Sequence, residues 1–172
     1  MNLTNNNKYI TCSTLKIYQC NGHHDLRVHH SLLNLPEMEQ YDALMIQEPY
    51  SIFINDSHYI STTQQWHLIT LAMPLTNEAR PPRSVIFINK QLPSSFYNII
   101  PTDSLDITAI SFRLPALANP FTFINIYNLP PLFTSIASLQ TLLATCPELA
   151  PHTAFAILSD FNLHHPLWNE PD

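Results

Sequence analysis

Residues 153–162 read TAFAILSDFN. The first six form a short, almost wholly apolar run behind Pro151, which reads as a buried strand. The run passes without glycine or proline into Ser159-Asp160-Phe161-Asn162. Asp160 and Asn162 stand two residues apart, so continued extended geometry points both side chains the same way. A carboxylate beside a neutral amide suits a phosphate. The amide N–H donates to a phosphate oxygen, and the carboxylate accepts a proton from water. A lone Asp-x-Asn is also ordinary turn chemistry. The reading therefore depends on what stands at the ends of the other strands.

Working outward, residues 121–127 (FTFINIY) alternate cleanly. Phe121, Phe123, Asn125 and Tyr127 share one face, and Thr122, Ile124 and Ile126 the other. Strands are also expected at 15–20 (LKIYQC), 42–47 (DALMIQ), 66–71, 84–89 (SVIFIN) and 106–114 (DITAISFRL). Residues 25–35 place Leu26, Val28, Leu32, Leu33 and Leu35 near helical spacing, with Asp25 as N-cap and Pro36 beyond the end. Residues 135–146 form a second amphipathic helix through Ile136, Leu139, Leu142 and Leu143, stopped by Pro147. About seven strands and two helices in mixed order fit a layered α/β protein with a substantial antiparallel component, not a strict βαβ repeat. Polar clusters close several strands: Gln19-Cys20-Asn21, Gln47-Glu48-Pro49 and Asn125-Ile126-Tyr127-Asn128. Glu48 and Asp160 are hard oxygen ligands of the kind Mg²⁺ prefers.

Composition narrows the function classes. The chain has 172 residues, room for one domain, with 45% hydrophobic residues and only 12% charged. Seven Lys+Arg against thirteen Asp+Glu leave −6, which excludes a strongly basic nucleic-acid glove. One glycine stands where average usage gives roughly twelve. A P-loop or a GxGxxG loop cannot be written with Gly22 alone. Fifteen prolines cut the chain into short pieces, which favours strands over long helices. Cys12, Cys20 and Cys146 fit neither a disulfide framework nor a zinc knuckle, and reduced thiols in an intracellular protein are expected. No apolar run approaches the ~20 residues of a membrane span. Residues 1–14 are polar and Asn-rich, a segment apart from the domain expected over 15–172.

Several features have plain readings. Adjacent histidines on a strand point to opposite faces, so His23-His24, His29-His30 and His164-His165 make poor metal clamps. His29 and His30 fall on the first helix and are expected at its surface. Trp66 and Trp168 are expected to be packing residues. Phosphate neutralisation needs cations. Lys8, Lys16, Arg27, Arg80, Arg83, Lys90 and Arg113 would have to share one face.

Taken in order, the segments LKIYQCN (15–21), YDALMIQEP (41–49), SVIFINK (84–90), DITAISF (106–112), FINIYNLPP (123–131) and LSDFNLHHPLW (158–168) resemble the endonuclease/exonuclease/phosphatase superfamily. The nearest likeness is to the endonuclease domain of non-LTR retrotransposon polyproteins, over nearly the whole chain after Leu15. The resemblance implies a four-layered α/β sandwich, helices outside two packed sheets. It implies that Asn21 contacts the scissile phosphate and that Glu48 holds Mg²⁺ or Mn²⁺. Tyr127 would hydrogen-bond the phosphate, Asp160 would orient or deprotonate the attacking water, and Asn162 would help position the phosphate. The implied reaction is hydrolysis of a DNA phosphodiester, in a protein that is nuclear if functional.

The chain departs from that pattern twice. Ser159 stands where members usually carry glycine, and the closing Ser-Asp-His of the family does not occur in the 172 residues. The expectation is a partial domain with an incomplete second sheet, inactive or weakly active alone. Its last strand would be left as an edge, and the remaining polyprotein would be a possible partner. The alternatives are a non-catalytic binding module and another phosphoesterase of the same superfamily.

Overall fold

The computed structural model describes residues 14–70, 80–115, 118–129, 134–149 and 153–160. Among the described residues, ten strands and two α-helices follow one another in this order. β1 (Ile17–Asn21), α1 (Leu26–Asn34) and β2 (Ala43–Gln47) come first, then β3 (Ile52–Ile54), β4 (Ser57–Tyr59), β5 (Trp66–Ile69) and β6 (Ser84–Asn89). β7 (Tyr97–Ile100), β8 (Ile107–Phe112), β9 (Phe121–Tyr127), α2 (Thr134–Thr145) and β10 (Ala154–Asp160) complete the series. Among these elements no helix is long and apolar enough to cross a membrane.

Two four-stranded sheets carry the fold, in the orders β1-β2-β6-β5 and β10-β9-β8-β7. Each has one parallel pair at an edge, β1 with β2 and β9 with β10, and antiparallel pairs elsewhere. A parallel pair needs a long crossover, and α1 and α2 are the helices within those two crossovers. Asp25 caps α1 by accepting the Arg27 amide N–H at 2.7 Å, as its position before the apolar stripe predicts.

Strand alternation sorts the side chains into layers. Met45 of β2, Ile86 and Ile88 of β6, and Ile110 and Phe112 of β8 meet between the sheets. Leu44, Ile46, Val85 and Phe87 point to the other side, against Leu32 and Leu33 of α1. Ile107, Ala109, Ile124 and Ile126 likewise meet Leu139 of α2. The order is helix, sheet, sheet, helix, the four-layered sandwich expected from the sequence. Trp66 is a buried packing residue. Burying side chains of this size contributes about 1.5–3 kcal/mol each.

The inter-sheet layer turns polar at one level. Gln19 Nε2 donates to Gln47 Oε1 at 2.8 Å, and Gln47 Nε2 donates to Asn125 Oδ1 across the sheets. Asn125 Nδ2 donates to the carbonyls of Val85 (2.9 Å) and Ile46 (3.1 Å), and its own carbonyl accepts from Ser84 Oγ at 2.9 Å. Gln47 and Asn125 are fully buried. Their burial is tolerable because their amide groups are paired with the facing sheet.

The structure differs from the sequence reading in three places. The β3–β4 hairpin was not foreseen. Its strands have three residues each, too short to show alternation, and its Asn55-Asp56 turn is left-handed at φ 49° and 58°. Ile52, Phe53, Ile54 and Tyr59 are exposed on it. β7 was missed for the same shortness. His29, expected at the surface, is buried: its Nε2 bonds the Ser61 carbonyl at 3.0 Å and its ring meets Phe87 edge-on at 5.8 Å. β10 forms a sheet edge among the described residues, with Phe155 exposed.

Two expected outcomes follow. Asn125→Leu leaves the buried Gln47 amide without its acceptor and strips the second hydrogen bond from the Ile46 and Val85 carbonyls, which keep only their β2–β6 ladder partners. An unpaired buried group costs about 1–3 kcal/mol. Urea unfolding should show a loss of at least about 2 kcal/mol; a change within about 0.5 kcal/mol contradicts the pairing. Burial pushes the His29 pKa below its ordinary 6.5. The unfolded chain therefore takes up that proton first as pH falls. The His29 contribution is intact above about pH 6.5 and is lost below it. Urea midpoints between pH 8 and pH 5 should fall less in His29→Gln than in the parent, and equal falls contradict the assignment.

Candidate functional site

The site residues inherit their places from strand parity. Ile17, Gln19 and Asn21 share the inner face of β1; Phe123, Asn125 and Tyr127 share that of β9; Leu158 and Asp160 that of β10. Asn21, Tyr127 and Asp160 thus lie one rung beyond the amide layer, at the C-terminal ends of the parallel pairs. Open α/β sheets present ligands at those ends.

Asn21 and Asp160 touch. Asn21 Nδ2 donates to Asp160 Oδ2 at 2.6 Å, across 139 residues of sequence, and Asn21 Oδ1 accepts the His23 N–H at 2.7 Å. The Asn21 amide is fixed at both ends. Asp160 pairs with Tyr127 in register, and its carbonyl accepts the Asn128 N–H at 3.1 Å.

Glu48 follows β2 with φ at 46°, a left-handed kink that ends the strand. Its N–H donates to the Arg83 carbonyl and its carbonyl accepts the His24 N–H, both at 2.9 Å. The kink brings its carboxylate to the Tyr127 hydroxyl. The Tyr127 pKa is pushed up to about 12, first by burial, then by its hydrogen bond to Glu48 and that carboxylate's charge, with Asp160 adding to the effect and Arg83 opposing it. The phenol, already neutral at neutral pH at its ordinary pKa of 10, is held still further from ionisation.

The chain's one glycine sits at this junction. Gly22 donates its N–H to the Gln47 carbonyl at 2.7 Å, and a Cβ there would stand 2.9 Å from the Glu48 carbonyl oxygen. Close approach, not a positive φ, is the reason for glycine.

Four of the five predicted site residues, Asn21, Glu48, Tyr127 and Asp160, gather at one rim. Asn162 lies outside the described residues, as do His164, His165, Trp168, Cys12 and Lys8. Ser159 pairs with Ile126 in the strand register, so the backbone there accepts a side chain, but its buried hydroxyl finds no hydrogen-bond partner among the described residues. The divergence expected of neighbouring histidines fails for His23 and His24. Both are left-handed, at φ 49° and 53°, and both rings face Glu48, at 3.9 and 3.5 Å.

Sequence reasoning also missed Asp106. It is 1% exposed and binds both Arg80 and Arg83. Of the cations, only these two stand on the rim among the described residues. Lys16, Lys90 and Arg113 flank the opposite strand ends, and the exposed Arg27 pairs with Asp25. A signal existed: Arg80-Pro-Pro-Arg83 just before one strand and Asp106 just before another.

Among the described residues no three His, Cys, Asp or Glu side chains are arranged to hold a metal ion. Glu48 alone still fits Mg²⁺ or Mn²⁺ chemically. It is a partly exposed carboxylate at an open rim, and Mg²⁺ commonly takes one or two carboxylates and completes its shell with water and phosphate.

Solved structures that share this architecture include the following two. One is the endonuclease domain of TRAS1, a telomere-specific non-LTR retrotransposon. It aligns with a TM-score of 0.61 at 14% identity, over 90% of this chain and 62% of that one. The other is an endonuclease/exonuclease/phosphatase family protein from Leptotrichia buccalis C-1013-b, with a TM-score of 0.53 at 16% identity, over 87% of this chain and 67% of that one. This chain spans less than two thirds of the TRAS1 domain's length. No family model and no curated protein matches the sequence. The fold is the one these two proteins share.

Gly22→Ala should cost about 1–3 kcal/mol through overpacking against the Glu48 carbonyl. Thermal unfolding checks this, and an unchanged midpoint would mean that the junction is looser than the structure shows.

Proposed function

We propose that this chain carries the phosphodiester-cleaving site of a divalent-metal-dependent DNA endonuclease of the non-LTR retrotransposon kind. The observation that carries the reading is the Asn21–Asp160 hydrogen bond, 2.6 Å, between the last residues of two strands from different sheets. Tyr127 and Glu48 stand at the same rim. An amide, a carboxylate and a neutral phenol around one opening, beside a second carboxylate, are the groups that in-line hydrolysis of a phosphodiester needs.

Each side chain has a distinct task. Asp160 accepts the proton of the attacking water, and Asn21 keeps it oriented for that. Tyr127, a protonated phenol as any tyrosine is at neutral pH, donates a hydrogen bond to a phosphate oxygen. Asn162 is assigned a second amide contact to the phosphate, from the sequence alone. Glu48 would hold Mg²⁺ or Mn²⁺, which when bound polarises the phosphoryl oxygen and steadies the leaving oxygen. The 172 residues contain no Ser-Asp-His, so the proposed rate for this chain alone is low. The remaining polyprotein is the proposed source of that motif.

The test is nicking of supercoiled plasmid with Mg²⁺ or Mn²⁺. Slow nicking is expected that EDTA abolishes and that Glu48→Ala and Asp160→Ala each reduce by about 10²-fold or more. Nicking that survives either substitution overturns the reading, and so does folded protein that nicks nothing.

A further inference from the structure

Asp106 stands immediately before β8 and is almost wholly buried. It takes Arg83 through two parallel bonds, Nε to Oδ1 and Nη2 to Oδ2, each 2.9 Å. Arg80 Nη1 adds a third bond to Oδ1 at 2.9 Å, and Ser135 Oγ at the start of α2 lies 3.4 Å from Oδ2. The paired fork fixes the plane of the Arg83 guanidinium. That plane's Cζ lies 5.0 Å from the centroid of the Tyr127 ring.

The main chain of the same two residues reaches the site as well. The Asp106 carbonyl accepts the Tyr127 N–H, and the Arg83 carbonyl accepts the Glu48 N–H, both at 2.9 Å. One ion pair therefore grips the phenol-bearing residue and the kinked turn that carries Glu48. The side chains of Arg83 and Arg80 are 12% and 40% exposed. Arg83 is thus screened from solvent on the rim itself, where a cation–aromatic contact is strongest.

We propose that Arg83, anchored on Asp106, is a positioning residue that holds the Tyr127 phenol and the Glu48 turn in register for phosphodiester cleavage. This rests on the function proposed above. A buried ion pair that serves folding alone has no need of an aromatic ring under its cation, and such pairs contribute little net stability over apolar replacements. Lysine cannot substitute, because an ammonium supplies neither the planar fork nor the stacked face.

The test combines Arg83→Met, Arg83→Lys, Tyr127→Phe and the Arg83→Met/Tyr127→Phe double variant. In plasmid nicking, both Arg83 variants should lower kcat by about 10- to 100-fold, with KM changed less than about twofold. The double variant should lose clearly less than the product of the two single losses, because part of the Arg83 effect acts through the Tyr127 hydroxyl. Full additivity, or a loss confined to KM, overturns the proposal. A second arm needs no activity. With ¹³Cζ-labelled tyrosine, the signal assigned to Tyr127 by its absence in Tyr127→Phe should move in Arg83→Met while the other tyrosine signals stay. An unmoved Tyr127 signal in folded variant overturns the proposal even if the chain nicks nothing, which separates its failure from that of the functional reading. Should Arg83→Met fail to fold, Arg83→Lys keeps a cation for Asp106 and carries both arms.

Discussion

The bond between the Gln47 and Asn125 side-chain amides joins the two sheets at the level where their facing surfaces change from apolar to polar. Below it, toward Met45 and Phe123, the interface is closed by hydrocarbon. Above it stand Asn21, Tyr127 and Asp160. Unpaired, two buried amides would be a large liability. Paired with each other, with Gln19, and with the Ile46 and Val85 carbonyls, they set the register of one sheet on the other. Side chains alternate with period two, so a slip of one residue in β9 would turn Asn125 and Tyr127 away from the first sheet together. The rim exists where it does because that register is fixed.

Backbone strain gathers at the same place. His23, His24 and Glu48 are left-handed, and such non-glycine residues cost on the order of 1–3 kcal/mol each. The bonds from Gly22 to Gln47, from His24 to Glu48 and from Glu48 to Arg83 hold the turn against that cost. Electrostatics follow the same economy of elements. A chain of net charge −6 keeps two arginines at this rim, both bound to the buried carboxylate of Asp106. The sum of two guanidiniums and one carboxylate is a local positive charge beside Tyr127, facing the carboxylates of Glu48 and Asp160.

Much of this was legible in the residues, and for identifiable reasons. The alternation of FTFINIY assigns both faces of β9 correctly, with Asn125 and Tyr127 inward. Asp25 and Pro36 bracket α1, and SVIFIN marks β6 to the residue. The polar endings of apolar strands picked out the residues that meet at the rim, because strand ends are where a rigid layer opens to solvent. Contacts set by tertiary packing were not legible. His29 looked like a surface residue because the helical stripe around it is apolar without it, yet a loop near Ser61 covers it. Gly22 had no local reason to be glycine; its reason is the Glu48 carbonyl. The convergence of His23 and His24 depends on a turn whose two left-handed residues no periodicity announces.

The rim built by four strand ends from two sheets is the proposed divalent-metal and phosphate site. The most direct measurement is titration of Mn²⁺ into isotope-labelled protein, followed by paramagnetic broadening of its NMR signals. The expected result is selective broadening of Glu48 and its rim neighbours Asn21, Tyr127 and Asp160, abolished by Glu48→Gln. Broadening centred on other carboxylates, or no broadening of the rim, would rule out a metal held by Glu48.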